Sequence, residues 1–173
     1  MPDTKYRFRD FYMMEVKSID GKVIGFIKGI DIEFNNSRVK GFIISSYKFT
    51  QRSVKVLIED IISFNEVMVI SRVTRGESLD FNFIRKMEVV DTNSNILGMI
   101  EELIFDGNSF IIEGIIVSTG LIKDLIIGKR VFSPKYLILG EKSVLCNDKG
   151  KKLSFLNVSH KIAMEESNDE KMV

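Results

Sequence analysis

The sequence predicts an all-β protein: two tandem small antiparallel β-barrels related by internal duplication, followed by a short polar C-terminal tail. Three observations carry this. First, "VKGFIIS" at 39–45 returns as "IEGIIVS" at 112–118, and the same 73-residue shift lays Met14, Glu15 and Val16 on Met87, Glu88 and Val89, Ile27 on Ile100 and Asn35 on Asn108 without a gap. A match of that length is an internal duplication. Second, the hydrophobic period inside each copy is two. Across 24–34, Ile24, Phe26, Ile30, Ile32 and Phe34 form one row while Asp31 and Glu33 face the other way, as in a half-buried strand. Third, Gly25, Gly41, Gly98 and Gly114 interrupt strand patterns at equivalent places. Glycine weakens a strand unless a bend, a bulge or a close backbone approach requires it, and a small closed sheet requires bends.

The elements follow in chain order. "KYRFRDFY" at 5–12 alternates cations with rings and reads as an edge strand with one wet face. "IDGK" at 19–22 and "FNNSR" at 34–38 are hairpin turns flanking the long strand, and "DTNSN" at 91–95 and "FDGNS" at 105–109 repeat them. "LIEDIISFNEVMVIS" at 57–71 and "FSPKYLILGEKSVLCN" at 132–147 share a run, turn, run order at a shift nearer 75, which implies a small insertion in the second copy. "SRVTRGESLD" at 71–80 reads as the linker. The expected units are residues 1–78, 79–159 and a tail at 160–173. With many β-branched residues and two prolines, long helices are expected only after residue 157. Each copy is near the lower size limit for an independent core, which gives each a reason to lean on the other.

Composition bounds the function. The 173 residues are 45% hydrophobic and 28% charged, a globular balance. Lys and Arg total 25 against 24 Asp and Glu, so the net charge of +1 supplies no global field for nucleic acid or anionic lipid. The single cysteine, Cys146, excludes an internal disulfide and fits a reducing compartment. The first twenty residues hold no signal-peptide core, and no apolar run approaches the roughly 18 residues of a membrane span. A cytoplasmic location without membrane association is the expectation.

The candidate chemistry dissolves on inspection. Asp91, Asn93, Asn95 and Glu102 fall at calcium-loop positions, but Ile96 stands where that loop needs glycine, and the matching stretch of the first copy ends on Ser18 and Gly29. A hairpin turn explains both copies. "IIGKRVFS" at 126–133 places Lys123 and Arg130 where a phosphate loop needs Gly and Ser or Thr. One cysteine and one histidine, His160, cannot make a four-ligand Cys/His zinc site, and Cys146 sits in the apolar "SVLC" strand away from any evident base. No catalytic residue, metal or cofactor is expected, and the chain reads as a non-enzyme.

"SIDGKVIGFIKGIDIEFNNSRVKGFIIS" at 18–45 and "DTNSNILGMIEELIFDGNSFIIEGIIVS" at 91–118 both resemble the PRC-barrel domain, with an opening turn, a glycine after an aliphatic pair, an acidic or Asn-containing hairpin and an aliphatic strand with one glycine. The resemblance covers most of 11–71 and 84–147. Known members include the cytoplasmic part of the photosynthetic reaction-centre H subunit, a ribosome maturation factor and short sporulation-associated proteins, which implies a module that docks on other macromolecules. The chain lacks the membrane helix of the first, and where the ribosome factor carries a different module it carries a second barrel. The expected function is a non-catalytic cytoplasmic adaptor for a protein partner, engaged through strand edges or the groove between barrels. Sporulation enters by family analogy alone. The alternative is an RNA- or ribosome-associated factor, and homo-oligomerisation stays open.

Three sets of residues are candidate contacts. Arg7 and Arg9, interleaved with Tyr6 and Phe8, offer cations beside stacking rings for RNA, although Asp10 dilutes the charge. Lys28 aligns with Glu101 and Lys40 with Glu113, a charge reversal that a pseudo-twofold contact between barrels would favour and that divergence on wet surfaces would equally produce. The acidic tail at 160–173 reads as either disordered or docked.

Overall fold

The computed structural model describes residues 4–45 and 54–147. A short strand, β1 (Lys5–Arg7), and a one-turn helix, α1 (Phe8–Phe11), lead into the first copy. That copy holds β2 (Glu15–Ser18), β3 (Val23–Glu33), β4 (Arg38–Ser45), β5 (Val54–Leu57), β6 (Ile61–Phe64) and β7 (Val67–Ile70), in the sheet order β5-β4-β3-β2-β7-β6. A second one-turn helix, α2 (Phe81–Ile84), opens the second copy, which holds β8 (Glu88–Val90), β9 (Ile96–Asp106), β10 (Ile112–Ser118), α3 (Leu121–Ile127), β11 (Arg130–Phe132), β12 (Leu137–Leu139) and β13 (Ser143–Cys146). Its sheet order, β11-β10-β9-β8-β13-β12, is the same order repeated. No helix among the described residues is long and apolar enough to cross a membrane. The tail and His160 lie outside the described residues.

Each sheet is mixed rather than purely antiparallel. β2 pairs with β7, and β8 with β13, in parallel. The reason lies in the connection from β5 to β6, which is a single 3-10 turn, Ile58–Asp60, that carries the chain onward instead of reversing it. This connection also forces the sheet to curl. β5 and β6 are opposite edges, about 24 Å apart if six strands lay flat. The four peptide steps from Leu57 to Ile61 reach about 14 Å at most. In the second copy β11 and β12 are joined in the same way through Pro134–Tyr136.

The duplication is legible in backbone detail. Positive φ recurs at the equivalent pairs Met13 and Lys86, Gly21 and Ser94, and Ser37 and Phe110. Register on the outer strands places the insertion. Lys55 opposes Ile43 where Val131 opposes Ile116, and Met68 opposes Val16 where Val144 opposes Val89. The shift is therefore 76 there, and the three extra residues fall in the stretch containing α3.

The two copies are interlaced. β2 covers only the first half of β3, with Glu15 opposite Phe26. The second half of that edge is taken by the linker: Asp80 bridges Asp31, and the Ile32 amide donates to the Leu79 carbonyl at 3.0 Å. Reciprocally, β1 covers the second half of β9, with Arg7 opposite Ile104 and Tyr6 opposite Phe105. The segment ahead of each copy thus completes the other copy's sheet. The axis relating them passes where Arg38 bridges its own counterpart Ile111, flanked by Val39 N to Phe110 O at 2.9 Å and Ile112 N to Ser37 O at 2.7 Å. Phe8 and Phe81, also counterparts, meet edge to face at 6.2 Å between centroids.

One hydrophobic core follows from this arrangement. Phe11 stacks on Phe42 of the first copy at 4.7 Å and lies 5.6 Å from Phe105 of the second, and Tyr6 packs edge-on against Phe11 and Phe64. Burying each of these rings contributes about 1.5–3 kcal/mol, so the shared core and the strand exchange support one another. Sheet membership crosses the boundary expected near residue 78, because residues 5–7 belong to the second sheet and 79–80 extend the first.

Among the interior glycines, two show why a side chain is refused. A Cβ on Gly41 would overlap the Val56 carbonyl oxygen of the neighbouring strand, and Gly98 combines φ +145° with a carbonyl, that of Ser118, where its Cβ would go. Gly114 is different, since its Cβ would crowd a side chain, the Val131 Cγ1 methyl at 2.7 Å, with Ile104 at ordinary contact distance. Gly25 is buried within β3.

The copies also differ in one buried pair. In the first, the Lys55 Nζ lies 2.7 Å from Asp31 Oδ2 and donates to the Glu77 carbonyl at 2.6 Å, while Asp31 Oδ1 accepts from Leu79 N at 3.1 Å. Both side chains are under 10% exposed. The counterparts in the second copy are Ile104 and Val131. A buried ion pair adds little net stability over packed hydrophobes, so this one is best understood as a clasp on the incoming linker.

Two outcomes are expected. Gly41→Ala should cost about 2–4 kcal/mol against about 1 kcal/mol for Gly114→Ala, because a backbone carbonyl yields less than a methyl; equal losses in chemical denaturation would overturn this. Asp31→Ala should cost about 3–5 kcal/mol by stranding the Lys55 charge. Asp31→Ile combined with Lys55→Val, which copies the second barrel, should cost less than Asp31→Ala alone.

Candidate functional site

The polar residues of the N-terminal arm are sorted by strand alternation. Tyr6 and Phe8 turn inward, Phe8 to 2% exposure, which sends Arg7 the other way. Arg9, on α1, is exposed beside it. Phe8 therefore offers no open face for stacking a base, while Tyr6 is partly buried and packs against Phe11, Phe64 and Phe105. Arg7 and Arg9 instead line a pocket of about 140 Å³ together with Arg85, Lys129, Glu101, Glu102 and Ile116.

Each wall has a structural origin. Arg85 is the residue that ends α2, and its Nε donates to the Glu101 carbonyl at 3.1 Å. Lys129 follows Gly128, the cap of α3, and its Nζ lies 2.5 Å from Glu101 Oε1. Glu102 is buried and spends its oxygens on backbone amides: Oε1 accepts from Phe8 N at 3.2 Å and Leu103 N at 3.0 Å, and Oε2 from Arg9 N at 3.3 Å. It thereby fastens the start of α1 onto β9. Burial pushes its carboxyl above the usual 4.5, against the pull of the Leu103 and Arg9 amides and the Arg85 guanidinium.

The equivalent place in the first copy is built from other residues. Gly29 stands for Glu102, Lys28 for Glu101, Asp80 for Arg7, Asn82 for Arg9 and Tyr12 for Arg85. Here the carboxylate comes from the arm: Asp80 Oδ1 accepts from Asn82 N at 3.0 Å and so caps α2. A Cβ on Gly29 would sit 2.6 Å from Asp80 Oδ2, so the strand glycine makes room for it. The acidic group comes from the strand in the second copy and from the arm in the first, and Arg7, Arg9 and Arg85 have Asp80, Asn82 and Tyr12 as their counterparts.

The other feature is α3. It is bracketed by Gly120 at φ +107° and Gly128 at φ +83°. Asp124 anchors its start by accepting from Thr119 N at 2.8 Å and Thr119 Oγ1 at 2.9 Å. Leu121, Ile122 and Leu125 are left 86%, 76% and 86% exposed. Sequence reasoning passed over this helix; the available signal was Leu121 and Leu125 four residues apart between two glycines.

The remaining predicted residues are placed as follows. Glu113 pairs with Lys5 at 2.6 Å, and Glu101 with Lys129 as above. Lys40 is exposed on β4, and the Lys28 carbonyl accepts from Asn82 Nδ2 at 3.0 Å. Asp91 closes its own turn, with Oδ1 accepting from Asn93 N and Asn95 N at 2.8 Å each, so the calcium-loop spacing is a hairpin. Cys146 is buried in β13.

A duplicated curled sheet whose distinctive chemistry lies on its surfaces belongs to the class of small β interaction modules. The PRC-barrel domain matches it twice, at residues 3–74 and 77–148, and the chain belongs to that family. PRC-barrel domains are generally non-catalytic and serve protein interaction. A search of curated proteins gave no match.

The raised Glu102 carboxyl has a pH signature. The folded chain holds that proton more tightly than the unfolded one, so the group's contribution to stability is full below 4.5 and is lost as pH rises through the window above it. Relative to Glu102→Gln, the unmodified chain should gain stability as pH falls from about 7 toward 4.5. A pH-independent difference in denaturation midpoints would overturn this.

Proposed function

We propose that the chain is a non-catalytic adaptor that docks a protein partner on the apolar face of α3. The observation that carries this is the exposure of Leu121, Ile122 and Leu125 together on one short helix. Large aliphatic side chains left in water in a group mark interaction sites more often than accident does. The helix is also cheap to keep: Asp124 and two glycines fix it without calling on those side chains. It lies in the stretch between β10 and β11, which is three residues longer than its counterpart in the first copy. Family membership supports protein binding as the general role.

The reading as an RNA-associated factor draws support from Arg7, Arg9, Arg85 and Lys129 alone, and the test separates the two. A tagged full-length chain should retain its partner from a ribonuclease-treated lysate. Leu121→Ser with Leu125→Ser should lose that partner while the melting midpoint stays within about a degree, since substitutions at such exposed positions change stability by about 0.5 kcal/mol or less. A partner kept by the double variant would sink the α3 assignment, and one lost on ribonuclease treatment would favour RNA.

A further inference from the structure

We infer that the pocket between Arg7, Arg9, Arg85 and Lys129 binds a phosphate monoester dianion, presented on a peptide segment of the docked partner. Three guanidiniums and an ammonium, brought from β1, α1, the end of α2 and the residue ahead of β11, converge on a space of about 140 Å³. The acids that share it are already engaged. Glu101 Oε1 holds Lys129, and Glu102 serves the amides of Phe8, Arg9 and Leu103. Four cations against two carboxylates leave the lining with two positive charges in excess.

That excess selects the ligand. Cations crowded without anions repel, and planar guanidiniums approaching from several directions suit a tetrahedral group with several terminal oxygens better than a carboxylate, which one Arg satisfies in a single plane. A phosphate monoester carries close to two negative charges at neutral pH, whereas each linkage of a nucleic-acid backbone carries one. Glu101 Oε2 is buried without a hydrogen-bond partner.

The comparison between copies points the same way. A scaffold that repeats down to its positive-φ residues has Asp80, Asn82, Lys28 and Tyr12 where this site has Arg7, Arg9, Glu101 and Arg85. The cation cluster is thus not a requirement of the fold. Lys129 lies two residues beyond the end of α3, which ties the pocket to that helix along the chain. The inference rests on the proposed protein docking for the source of the phosphate, but the pocket chemistry is testable without it.

The experiment is a titration of the isotope-labelled full chain, followed by backbone amide resonances. The probes are a capped phosphoserine tripeptide, its unphosphorylated form, inorganic phosphate and a short single-stranded oligoribonucleotide at matched ionic strength. The phosphopeptide should shift the amides of Phe8, Arg9 and Leu103 saturably. Arg7→Gln with Arg9→Gln should weaken this by about tenfold or more at an unchanged melting midpoint. Leu121→Ser with Leu125→Ser should leave it intact, which keeps failure here distinct from failure of the α3 reading. The proposal is overturned by an absent or non-saturable shift, by an equal response to the unphosphorylated peptide, or by insensitivity to the arginine variants. Inorganic phosphate binding as tightly as the phosphopeptide would overturn the peptide source, and tighter binding of the oligonucleotide would assign the pocket to RNA.

Discussion

Each eleven-residue strand, β3 and β9, outruns the strand its own copy places beside it. Half of one edge would be left with unpaired amides and carbonyls, an arrangement that costs free energy when buried and invites foreign strands when exposed. The other copy removes the problem. Residues 79–80 finish the edge of β3 and residues 5–7 finish the edge of β9. Once that exchange exists, the helices behind the two arms are carried to the axis, Phe8 meets Phe81, and Phe11 enters a ring cluster drawn from both sheets. The shared core and the fastening of the arms are consequences of an edge that is too long.

The exchange also accounts for where the copies have diverged. The arm positions need a group to accept the first amides of the short helix that follows. The second sheet supplies Glu102 from the strand, and the first takes Asp80 from the arm and clears space with Gly29. The clasp of Asp31 and Lys55 and its apolar counterpart Ile104 and Val131 are a second such pair of solutions. In both cases a polar group that is expensive to bury is retained only where an arm amide or carbonyl has to be met.

The surfaces that are not explained by edge completion are the ones with a functional reading. α3 lies in the stretch between β10 and β11 that is three residues longer than its counterpart, and its Leu121 and Leu125 are each 86% exposed. The cations around Glu101 and Glu102 likewise exceed what holds the arm, since backbone donors already satisfy Glu102. The α3 face lies in the second copy, and the cation pocket joins that copy's Arg85 and Lys129 to Arg7 and Arg9 of the N-terminal arm.

The sequence by itself determined the repeat, the strand periodicity and the family, because those depend on spacing along the chain: Gly41 and Gly114 align, Ile24 to Phe34 alternate, and the hairpin turns fall between them. It also carried the charge reversal of Lys28 and Glu101. What that reversal means was decided by tertiary structure, which sets Glu101 against Lys129 across a pocket and brings Arg7 to Arg85 from positions 78 residues apart in the chain. The alternation in "KYRFRDFY" was equally readable, but not which face was wet, and the fold turned Tyr6 and Phe8 inward to a core made jointly by both copies. The parallel pairing of β2 with β7 was hidden for the same reason, since it follows from a 3-10 turn that carries the chain around the curl of the sheet. Local pattern fixes which residues form strands; pairing between copies depends on edges far apart in sequence, and only the folded chain brings those together.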